Sequence, residues 1–175
     1  RQRQMCIRDR NNTNLNLYED KISYFLSVGS EDGLRISDLV EPVGETSFLI
    51  DYYTNYQFHE VDDYNLAKIG RRWFGDRFDY ENVKTFSFNI DNLIVDQPVN
   101  LKVSAAATSE IVTSMSIELN GTQLSTMVFG SIGDPILATG DSFSSNINLN
   151  SSDANIKLTY NNNGNPASSA YLDYI

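Results

Sequence analysis

The chain predicts an all-β fold: an antiparallel β-sandwich, Ig-like or jelly-roll-like, preceded by a smaller β-rich segment. Three observations carry this. Short stretches of period-two apolar alternation recur through the second half, with turns rich in Asn, Ser, Asp and Gly between them. Segments of helical period are almost absent. Asn120-Gly121 separates two such alternating runs, and this is the residue pair that best accepts the positive φ angles of a type I′ hairpin turn.

Taken in order, residues 1–10 hold four Arg and are foreign in composition to the Asn-, Ser- and Tyr-rich remainder. Met5 to Arg10 reads as translated sequencing-adapter sequence, so 1–10 is set aside from the fold, and the chain is expected to be a gene fragment whose true start is missing. Cys6 goes with that stretch, which leaves neither a disulfide framework nor a thiol nucleophile. Residues 11–17 read as a loop. Ile22, Tyr24, Leu26 and Val28 alternate with Ser23, Phe25 and Ser27 as a half-buried strand does, and Leu34 to Ile36 can return after the Gly29 to Gly33 turn. Phe48, Ile50, Tyr52, Thr54, Tyr56 and Phe58 share one face of an expected long strand. Val61 to Ile69 has a weak helical spacing that allows a single turn or a loop.

Residues 70–79, Gly-Arg-Arg-Trp-Phe-Gly-Asp-Arg-Phe-Asp, hold the only Trp of the chain. Two glycines bracket large rings, as in a backbone that turns at both ends while presenting them. Arg71, Arg72, Trp73, Phe74 and Phe78 are therefore the candidate binding or docking residues. Two readings stand: hydrophobic plugs between packed β layers, or an aromatic and arginine platform for a carbohydrate or peptide.

Beyond Tyr80 short strands follow one another. Phe86, Phe88 and Ile90 mark one; Val99, Leu101, Val103 and Ala105 the next; Met115, Ile117 and Leu119 lead into Asn120-Gly121, with Leu124 to Phe129 as the return arm. Phe143 with 146–149, then Ile156, Leu158 and Tyr160, supply two more. Residues 161–166 form a loop, and Ala170 to Ile175 begins another strand. Because that pattern is still running at Ile175, a truncated C-terminus is expected. The organisation is thus 1–10 outside the fold, 11–82 a β-rich segment containing the aromatic stretch, and 83–175 a sandwich.

Composition narrows the function. A formal charge of -10 over 175 residues argues against nucleic acid, whose phosphates need clustered Lys and Arg. No apolar run approaches the ~18 residues that a bilayer span needs. There is no phosphate-binding loop, dinucleotide fingerprint, zinc spacing or Gly-x-Ser-x-Gly, and no cofactor is expected. The one histidine, His59, lies beside Glu60 and Asp62-Asp63, which lack the glycine and terminal glutamate of a calcium loop. A calcium clip among loop carboxylates and a base or ligand role for His59 are the minor alternatives to surface roles. The sequons at Asn11, Asn120 and Asn150 are close to chance in so Asn- and Ser-rich a chain.

The run Leu17-Tyr18-Glu19-Asp20-Lys21, continuing Tyr24-Phe25-Leu26, resembles the segment ahead of the protease domain in the PorU family, the sortase-like signal peptidases of the type IX secretion system. The resemblance continues in order through Tyr56 to Glu60, 70–78, Val103 to Ala107 and Asn120-Gly121, and ends at Tyr171 to Ile175. Trp-Phe-Gly-acidic-x-Phe is its most specific element. Asp76 stands where Glu is expected and Glu19 where Ser is usual. The resemblance implies a cell-surface protein of a Gram-negative bacterium, of the Bacteroidota, on the outer face of the outer membrane. Its gingipain-like C25 cysteine peptidase domain would lie downstream, cleaving C-terminal sorting signals from exported cargo and attaching the cargo to the surface. Cys6 and His59 match no part of that family's catalytic dyad, so no catalytic residue is expected here. The implied partners are the downstream peptidase domain, other secretion components and cargo. An extracellular carbohydrate-binding or adhesin-type sandwich, or a purely structural linker, are the other readings.

Overall fold

The computed structural model describes Gly44 and residues 51–66 and 72–175. Gln57–Ile175 falls in one compact unit and Lys21–Tyr56 in another; of the latter only Gly44 and 51–56 are described. The strands expected at 22–28 and 34–36 lie outside the described residues.

Eight strands are present among the described residues: β1 (Gly75–Phe78), β2 (Val83–Asn89), β3 (Val99–Thr108), β4 (Thr113–Leu119), β5 (Thr122–Phe129), β6 (Thr139–Ile147), β7 (Asp153–Asn161) and β8 (Ser169–Tyr174). They form two antiparallel four-stranded sheets, ordered β1-β8-β3-β6 and β2-β7-β4-β5. The described fold is the β-sandwich that the alternation predicts, and β1 comes from the aromatic stretch itself.

Alternation explains each strand. Along β7 the even positions Ala154, Ile156, Leu158 and Tyr160 are buried, while Asp153, Asn155 and Asn161 face solvent. Along β4 the buried set is Thr113, Met115, Ile117 and Leu119. One core joins Phe78, Val103, Ala105, Ala107, Ala170 and Leu172 of the first sheet to Met115, Ile117, Met127, Phe129, Leu158 and Tyr160 of the second. Small side chains on one inner face leave room for large ones on the other. Asn120 (φ 48°) and Gly121 (φ 82°) make the two-residue turn between β4 and β5, as the sequence predicts.

The β5 and β6 edges are tied by polar bonds. The Val128 amide donates to Asp141 Oδ2 at 3.0 Å, and Thr139 Oγ1 donates to the Gly130 carbonyl at 2.7 Å. A carboxylate that meets an edge amide also blunts pairing with a stray strand. In the core, Tyr160 is fully buried, and among the described residues its hydroxyl has no hydrogen-bond partner. Leaving a buried donor unmet costs ~1–3 kcal/mol. Tyr160→Phe is therefore expected to match or exceed the parent stability, by up to about 1 kcal/mol in urea unfolding; a clear loss would show that the hydroxyl is satisfied.

The long strand expected at 48–58 is corrected where it is described, 48–50 lying outside the described residues: 51–58 form no strand, and His59 and Glu60 pair with Ile175 and Tyr174. The reason is burial. Tyr52, Tyr53, Tyr56 and Phe58 are all at least two-thirds exposed, so the aromatic alternation reflects no buried face. Residues 61–66 are irregular with a turn at Leu66, the loop allowed there.

Candidate functional site

Residues 59–66 and 72–74 pack as a strap on the first sheet. His59 and Ile175 exchange both backbone hydrogen bonds at 3.0 Å, beside the Glu60 bridge to Tyr174. Tyr64 and Phe74 likewise exchange bonds, at 2.7 and 2.8 Å. The free side of β8 is thus covered in two pieces: β1 in the middle and His59-Glu60 at its C-terminal end.

Between Gly75 and Arg77 the register of β1 against β8 slips by one residue, a β-bulge. The extra residue, Asp76, has φ 26°, rare for a side chain other than Gly or Asn. Its carboxylate takes one donor on each oxygen. His59, with its proton on Nε2, donates to Oδ2 at 2.5 Å, and Lys84 Nζ donates to Oδ1 at 3.3 Å. The His59 ring lies 4.7 Å from that of Phe86, and Lys84 Nζ lies 5.6 Å from the centre of the Phe78 ring. With both oxygens engaged, Asp76 bolts the strap to β1 and β2.

The candidate residues separate. Phe74 is buried and Phe78 is wholly inside the core, Trp73 is half-buried, and Arg72 is exposed. Arg71 lies outside the described residues. Arg72 Nη2 donates to Asp173 Oδ2 at 3.1 Å, and its guanidinium carbon sits 5.3 Å from the Phe74 ring centre. Asp173 Oδ2 also accepts from Ser104 Oγ at 3.0 Å. The rings of Tyr64 and Tyr171 are tilted together at 5.2 Å.

Asp173, Ser104, Lys84 and Tyr171 were not among the sequence candidates. Alternation along β8 does assign Asp173 to the face opposite Leu172, the one available signal; its link to Arg72, 101 residues away, needs the fold. Among the described residues no group of three or more His, Cys, Asp or Glu is placed to hold a metal ion.

A two-sheet antiparallel sandwich, its edge strand bulged and its aromatic strap bolted on, is what this architecture establishes. No family model matches the chain, nor does any curated protein. Among solved structures it is similar to dimeric latent PorU from Porphyromonas gingivalis, with a TM-score of 0.56 and 18% identity. That match covers 67% of this chain and 12% of PorU, so the likeness is one of fold and spans a small part of the larger protein. It is also similar to the carbohydrate-binding module CBM36 in complex with calcium and xylotriose, at a TM-score of 0.42 and 16% identity over 69% of this chain and 87% of that one.

Proposed function

We propose that the chain is the non-catalytic, β-rich accessory region of a type IX secretion system sortase of the PorU kind, carried at the surface of a Gram-negative bacterium. The supporting observation is the shared fold with a region of PorU, taken with the sequence element of 70–79, which contains β1. In this reading the region braces a downstream C25-type peptidase domain and shapes the approach of cargo. Phe74 and Phe78 anchor the stretch in the sandwich, while the half-buried Trp73 keeps ring surface for a neighbouring domain. The full-length protein would cleave sorting signals from cargo and attach the cargo to the cell surface. Reading the gene past the present ends tests this. A downstream frame with a His and a Cys in a caspase-like α/β context is expected; a stop codon soon after Ile175, or an array of similar sandwiches, would remove the enzyme association.

A carbohydrate-binding or adhesin role is the second reading. Tyr64 is 40% exposed beside Tyr171, and Arg72 and Asp173 offer polar groups of both signs, the chemistry sugars use. Titration with soluble glycans, followed by Trp73 fluorescence, separates the two: a platform responds and a bracing contact does not.

A further inference from the structure

Four connections share one end of the sandwich: β1–β2 (79–82), β3–β4 (109–112), β5–β6 (130–138) and β7–β8 (162–168). The antiparallel registers require this, since Ala107 faces Thr139, Ser114 faces Asn161 and Val83 faces Thr159. Backbone bonds from Ile132 N to Ser109 O at 2.7 Å and from Tyr160 N to Asn82 O at 2.8 Å link the loops to one another and to β7. The His59–Ile175 pairing lies at the opposite end.

This end is apolar where a solvated loop cluster would be polar. Tyr80 is 101% exposed, Ile136 54%, Leu137 53%, Val112 52% and Ile111 37%. Isolated exposed apolar side chains are ordinary, but five large ones in adjoining loops are not. The same loops hold Asp79, Glu81, Glu110 and Asp134 and no Lys or Arg. Arg77 Nε, on β1, pairs with Asp79 at 3.1 Å; among the described residues Glu81, Glu110 and Asp134 have no ion-pair partner.

We infer that this end is a docking surface for a protein whose contact patch has an apolar centre ringed by Lys and Arg. The charge selects that occupant. Nucleic acid and anionic lipid are repelled by a rim of net negative charge, and two copies meeting through the same end would set acids against acids. A glycan platform needs flat rings, and Tyr80 is the one aromatic residue of these loops. A basic rim on an apolar patch satisfies both features, through burial at the centre and complementary charge around it. The inference is independent of which larger protein carries the chain.

The test is site-specific photo-cross-linking in the full-length natural protein in its own host, with p-benzoylphenylalanine in place of Ile136, and in place of Ser87 on the polar outer face of β2 as control. Position 136 is expected to cross-link to one protein segment, in another domain or another chain, that mass spectrometry shows to contain Lys or Arg; position 87 is not. Glu110→Lys with Asp134→Lys should reduce the yield at 136 at least fivefold, with the melting temperature unchanged because both residues are exposed. If that variant unfolds, Glu110→Gln with Asp134→Asn is read instead, with at least a twofold loss expected. Cross-links to lipid, glycan or this same end of a second copy, no cross-link above the control, or a yield insensitive to the rim charges would each overturn the inference. The locus reading above can fail while this result stands, and the reverse.

Discussion

Phe78→Ala is expected to lower the unfolding free energy by about 3–5 kcal/mol, the range for truncating a buried aromatic. Phe78 closes β1, is 0% exposed, and is the one residue of that short strand in the core cluster. Its removal leaves a cavity that Ala170, its cross-strand partner, cannot fill, because that side chain is too short to reach in. Lys84 loses the ring beneath its ammonium as well. Urea unfolding with the m-value held constant checks this, since a changed m-value would signal a looser native state. A loss below about 1 kcal/mol would mean that β1 is peripheral to the sandwich.

The second large effect concerns a residue with no side chain. A Cβ on Gly75 would lie 2.4 Å from Val61 Cβ and 2.5 Å from the Val61 carbonyl oxygen. The contact is with backbone, so a rotamer change cannot relieve it, and strap and strand must part. Gly75→Ala is expected to cost about 3 kcal/mol, at the upper end for overpacking, and to expose the strap to limited proteolysis near residue 60. Adding Val61→Gly removes the clash with Cβ but not with the carbonyl, so it should restore only part of the loss. A full rescue would show that side-chain crowding alone sets the spacing. The same geometry explains Asp76: with Gly75 pressed on the strap, the bulge turns the next residue to φ 26°, where His59 and Lys84 meet its carboxylate.

Much of the sandwich was legible in the residues. Strands β2, β4 and β7 each turn one face inward, so their apolar positions repeat every second residue, and most of the connections carry Asn, Gly, Asp or Pro for conformational reasons. The segment 51–58 shows the limit of that rule. Tyr and Phe alternate there just as in a strand, yet they are exposed, because an amphipathic ring is compatible with either side of a surface and alternation records residue type, not burial. The aromatic stretch was visible as a unit, but not that its rings would divide, with Phe74 and Phe78 taken inward and Trp73 left half outside.

Local alternation and turn chemistry were enough to specify a two-layer antiparallel sandwich and its β4–β5 hairpin, since those patterns act between near neighbours in the chain. The bolt of His59, Asp76 and Lys84, the link from Arg72 to Asp173, and the gathering of five apolar side chains at one end came from the fold. Each joins residues whose separation in sequence carries no periodic signal, so their proximity is set by sheet order, register and a single bulge.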